Sequence, residues 1–91
     1  MENKFEILKM SADWCGPCRA TKPTFESFAE SNPEINCREV NVDAEGDLAK
    51  EYGVRNIPTL VFLKDGVAVK RHVGAFSLVQ LTTLADEAFS E

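Results

Sequence analysis

Two cysteines held apart by only Gly and Pro, in the run Ala12-Asp13-Trp14-Cys15-Gly16-Pro17-Cys18, stand between a short apolar stretch and a helical pattern. Such a pair either shares a metal ion or alternates between dithiol and disulfide. Next to a strand–helix–strand pattern in a cysteine-poor chain, redox chemistry is the favoured reading. The pair also constrains the backbone. Pro17 sits where a helix can begin, because its missing N–H costs nothing in the first turn. Phe5 to Met10 reads as a buried strand leading into that turn.

The remaining elements follow from periodicity and punctuation. Cys18, Thr21, Phe25, Phe28 and Ala29 recur at helical spacing, so residues 16–31 are predicted to be a helix with one buried face. Pro23 should kink it by removing the bond to the carbonyl of Arg19, and Asn32-Pro33 ends it. Ile35 to Val42 is a second strand, and Ala44 to Tyr52 a short helix closed by Gly53. Thr59 to Lys64 and Val67 to Val73 alternate as strands around Asp65-Gly66, a two-residue hairpin signal. Ser77 and Gln80 form a capping box for a last helix, with Leu78, Leu81, Ala85 and Ala88 facing inward. The order β-α-β-α-β-β-α predicts an α/β fold with a four-stranded mixed sheet and helices on both faces. The cysteines then lie at the carboxyl end of the first strand, where open α/β sheets place their sites.

Composition excludes several classes. Ninety-one residues suit one domain, 1–91, with a single core. The apolar fraction of 44% is that of an ordinary globular protein, and no apolar run is long enough to span a bilayer. A net charge of −5 without a basic cluster argues against nucleic acid and anionic membranes as partners. Met1-Glu2-Asn3-Lys4 and the residues after it lack the pattern of a secretory leader, and three cysteines cannot build a disulfide framework. The expectation is a cytoplasmic monomer.

The block Ala12 to Cys18 with Arg19, Pro23 five residues later, Asn41-Val42-Asp43, Tyr52 to Thr59, Phe62 to Gly66 and Val73-Gly74-Ala75 together resemble the thioredoxin family. The resemblance runs from about Phe5 to the C-terminus. It implies a minimal thioredoxin fold, lacking the usual N-terminal strand and helix, so that the strand near residues 35–43 becomes an exposed edge. It implies a cis peptide bond at Ile57-Pro58, facing the cysteines. It also implies a substrate-docking surface of Trp14, Gly16, Pro17, Ile57, Pro58, Gly74 and Ala75, and a redox disulfide Cys15–Cys18. The implied activity is reduction of protein disulfides without a bound cofactor, with recharging by an NADPH-dependent thioredoxin reductase. One departure is Lys9, at the position where family members usually carry a buried Asp.

The chemistry has its own argument from the residues. A thiolate attacks a disulfide, so one cysteine needs favoured ionisation and solvent access. Cys15 lies at the loop–helix junction, where unpaired N–H groups and the helix dipole favour negative charge. Cys18, one turn inside, is shielded and acts second. A zinc site would need two further ligands, and only Cys37 and His72 remain, on other strands; no metal is expected. Cys37 reads as a buried small hydrophobe and His72 as a solvated strand residue. Lys9 shares strand parity with Phe5 and Ile7, so its stem should be buried, and Glu39 lies at matching depth on the neighbouring strand. The expectation is a Lys9–Glu39 pair beneath Cys18, charge-swapped relative to the family, with Glu39 exchanging a proton with the Cys18 thiol. Lys9 and Glu39 thereby join Cys15 and Cys18 as candidate catalytic residues. The alternatives are a thioredoxin-fold binding subunit or scaffold, and a metal or cluster carrier.

Overall fold

A computed structural model describes residues 4–90; Met1 to Asn3, part of the leader-free N-terminal reading, lie outside the described residues. The chain runs β1 (Phe5–Ser11), α1 (Gly16–Ser31), β2 (Ile35–Asn41), α2 (Gly46–Glu51), β3 (Thr59–Lys64), β4 (Val67–Val73) and α3 (Leu78–Phe89). The sheet order is β2-β1-β3-β4, with β1 and β2 parallel and the other two pairings antiparallel. β2 is an outer strand and β1 a central one.

Strand parity divides the core into two layers. Ile7 from β1, Ile35 from β2, and Leu60 and Phe62 from β3 face α1 and α3, meeting Phe25, Phe28, Leu81 and Ala85. Leu8, Met10, Val40, Val61 and Leu63 face the other way, toward Leu48, Tyr52 and Val54 around α2. Full burial of a side chain such as Phe62 contributes about 1.5–3 kcal/mol. The helices therefore cover both faces, as predicted.

Local chemistry sets the element ends. Asp65 and Gly66 take positive φ of 52° and 81°, the two left-handed residues that a tight hairpin of this hand requires. Ser77 Oγ accepts from the Gln80 N–H at 3.1 Å, and Gln80 Oε1 accepts from the Ser77 N–H at 2.9 Å, closing the capping box. α1 continues as one helix through Pro23.

Several expectations are corrected, and one irregularity in the sheet was not anticipated. β2 ends at Asn41, and α2 starts at Gly46 rather than Ala44. The reason is that the N–H groups of Ala44 and Glu45 turn back onto the Asn41 carbonyl, at 3.1 and 2.8 Å. Leu78 is 48% exposed, because the buried stripe of α3 starts one turn later at Leu81. The β3–β4 register slips between Phe62 and Leu63, which leaves Val69 as an extra residue on β4. Cys37 is only half-buried, since it lies on the outer strand β2 beside, rather than inside, the Ile7 layer.

Candidate functional site

The site is assembled where β1 ends. Cys15 is the N-cap residue of α1, with extended backbone, and its Sγ accepts the Cys18 N–H at 3.2 Å. A sulfur in that place faces the unpaired amides of the first turn, where negative charge is favoured. Cys15 and Cys18 are joined by a disulfide, with Cα atoms 5.2 Å apart.

The expected contrast in exposure between the cysteines is small, with Cys15 at 5% and Cys18 at 2% in this bridged form. Ile57 is packed against them, its carbonyl oxygen 3.9 Å from Cys15 Sγ. The bridged sulfur carries no proton, so this is a contact and not a hydrogen bond. The Ile57-Pro58 peptide is cis. Pro58 is buried, and its carbonyl accepts the Gly74 N–H at 2.8 Å. Gly74 has φ +104°, a backbone conformation that side chains resist, so glycine suits the place where β4 turns back onto the Pro58 loop. Gly16, Pro17 and Ala75 are exposed.

Trp14 is 67% exposed, and its Nε1–H donates to Asp43 Oδ2 at 2.9 Å. Asp43 is a site residue that the sequence reading passed over. Its signal was its place just after β2, whose parallel neighbour β1 leads to Trp14.

Beneath the cysteines lies a charged cluster. The Lys9 side chain is fully buried, and its Nζ donates to the Cys18 carbonyl at 2.7 Å and to Glu39 Oε2 at 3.1 Å. The ammonium also stands 5.9 Å from the centre of the Phe25 ring. Glu39 Oε2 accepts a further bond from Ser11 Oγ at 2.9 Å, and the Glu39 side chain stays 30% exposed. Ser11 is the second residue that the sequence reading missed. Glu39 opens onto a cleft of about 490 Å³ that Cys18, Arg19, Lys22 and Asp13 also line. The remaining candidate ligands are far from the pair in topology, with Cys37 on β2 and His72 on β4, the opposite outer strands of the sheet.

The family model described as Thioredoxin matches residues 1–87. The chain belongs to the thioredoxin family. A putative thioredoxin 2 of Streptomyces coelicolor is 36% identical over 87 residues, which are 96% of this chain and 65% of that protein. An H-type thioredoxin of Picea mariana is 46% identical over 68 residues, 75% of this chain and 54% of that one. A thioredoxin variant from Halobacterium salinarum superposes with a TM-score of 0.90 at 35% identity, covering 98% of this chain and 78% of that one. Fasciola hepatica thioredoxin superposes at 0.89 with 34% identity, covering 96% and 83%. The chain thus spans about half to two thirds of the length of its curated relatives from Streptomyces and Picea. Among the described residues no helix is long and apolar enough to cross a membrane. In this thioredoxin-family chain the Lys9–Glu39 pair lies directly beneath the cysteine bridge, with the Lys9 ammonium on the Cys18 carbonyl.

Proposed function

We propose that the chain is a thiol–disulfide oxidoreductase that reduces protein disulfides, acting as a single domain over residues 1–91. The observation that carries this reading is the Cys15–Cys18 bridge at the N-terminus of α1 in a thioredoxin-family chain. In the dithiol form, the Cys15 thiolate attacks one sulfur of a substrate disulfide. The substrate S–S bond breaks, a mixed disulfide forms, and the other substrate sulfur leaves as a thiolate that takes up a proton. Cys18 then loses its proton and attacks Cys15 Sγ, releasing the second substrate thiol and leaving the Cys15–Cys18 disulfide. Two electrons have passed to the substrate.

Glu39 receives the proton of Cys18 through water in the adjoining cleft, which its partial exposure and its place on the cleft that Cys18 also lines support. Trp14, Gly16, Pro17, Ile57, Pro58, Gly74 and Ala75 form the docking surface, with the Ile57 backbone placed to meet an extended substrate segment. An NADPH-dependent thioredoxin reductase returns the disulfide to the dithiol, and the protein works as a monomer in the cytoplasm, in cell redox homeostasis. No bound cofactor takes part.

Reduction of insulin, with either dithiothreitol or an NADPH–reductase couple as electron source, tests the proposal. Catalysis in both is expected. Catalysis with dithiothreitol alone would overturn the partner assignment, and catalysis in neither would turn the reading toward a binding subunit or scaffold.

A further inference from the structure

The buried cation beneath the cysteines is more than a packing element. Lys9 Nζ is held against the main-chain oxygen of Cys18, with no exposure to solvent, whereas its carboxylate partner Glu39 is 30% exposed. Water attenuates the field of the carboxylate, and little attenuates that of the ammonium. The other charged groups around the cleft, Asp13, Arg19 and Lys22, are exposed and screened. Of the charges around the pair, the ammonium on the Cys18 main chain is the least screened.

We infer that Lys9 sets the thiol–disulfide equilibrium of the Cys15–Cys18 pair, by stabilising its thiolate form and so making the disulfide more oxidising than it would be without the cation. This rests on the oxidoreductase reading and deepens it. Against a reduced dithiol such as dithiothreitol, the Cys15–Cys18 bond breaks and a disulfide forms in the reagent. Two electrons enter the protein, which becomes one thiolate and one thiol, and one proton goes to solvent. Charge appears only on the reduced side, so a fixed cation stabilises that side alone, as for any disulfide whose reduced form is favoured. Glu39 opposes the effect. When it takes up the proton of Cys18 during resolution, the ammonium on the Cys18 carbonyl loses its counter-charge as Cys18 becomes a thiolate. Lys9 touches the Cys18 carbonyl and not the sulfur, so it is a positioning residue.

The experiment equilibrates the full chain in buffers of reduced and oxidised dithiothreitol at neutral pH and measures the dithiol fraction by alkylation. Lys9→Met should lower the equilibrium constant for reduction by about tenfold, equivalent to about 30 mV for a two-electron couple. Glu39→Gln, which keeps an oxygen acceptor but loses the charge, should raise it, while slowing resolution of the mixed disulfide. A merely structural role would not move the two variants in opposite directions. If Lys9→Met fails to fold, Glu39→Gln decides alone, and an unchanged or lowered constant overturns the inference. Failure of the wild-type chain to reach a reversible equilibrium overturns both this and the oxidoreductase reading. A reversible equilibrium that neither substitution moves overturns this inference alone.

Discussion

Trp14 and Asp43 are joined across the rim of the site, with the indole Nε1–H donating to the carboxylate at 2.9 Å while the ring remains 67% exposed. An exposed aromatic held at its polar edge keeps its apolar faces open to a partner. Removing the carboxylate frees the ring to leave the orientation in which it would dock substrate. Asp43→Ala should raise KM for insulin about threefold with kcat little changed, the size expected of one exposed hydrogen bond. Fluorescence anisotropy of the chain's one tryptophan should fall with it, and Asp43→Asn should retain most of both.

The two cysteines should fail in different ways. Cys15→Ser should abolish turnover, since the hydroxyl does not ionise at neutral pH. Cys18→Ser should let the first attack proceed and then stall, accumulating a covalent adduct with the substrate that non-reducing electrophoresis resolves. Normal multiple turnover in Cys18→Ser, with nothing trapped, would reject its resolving role.

Cys37 should be inert. Burial, with the Glu34 carboxylate adding to it, pushes its thiol from the ordinary 9.0 up to about 11. At neutral pH it is protonated and a poor nucleophile. Alkylation of the reduced protein at pH 7 should therefore modify Cys15 before Cys37, and Cys37→Ala should leave insulin reduction nearly unchanged. The folded state holds this proton more tightly than the unfolded chain does. The contribution is thus complete below about pH 9 and lost as pH rises toward about 11. Urea titrations across that range should show a fall in stability that is shallower in Cys37→Ala.

Ser77 satisfies the Gln80 N–H at the start of α3, a helix whose Leu81 and Ala85 close the core. Ser77→Ala should cost about 1 kcal/mol, within the usual range for losing such a cap. The urea midpoint should drop while the slope of the transition stays constant, because the surface exposed on unfolding is unchanged.

Much of this architecture was legible in the chain because its causes act over a few residues. The left-handed turn at Asp65 and Gly66, the Ser77–Gln80 cap and the buried stripe of α1 each depend on near neighbours. Even the Lys9–Glu39 contact was within reach. Parity places Lys9 with Ile7, and the parallel register that aligns Phe5 with Ile35 aligns Lys9 with Glu39.

By itself, then, the sequence determined the order of elements, the helices on both faces of the sheet and the place of the cysteines at the head of α1. Its periodicities allow little else. Tertiary structure alone decided that Asp43 holds Trp14, that Ser11 joins Glu39 and that β4 carries an extra residue at Val69. These contacts join residues from separate elements. Their geometry depends on rotamers, on the slip between two strands and on how far one element overhangs the next, none of which leaves a periodic trace in the chain.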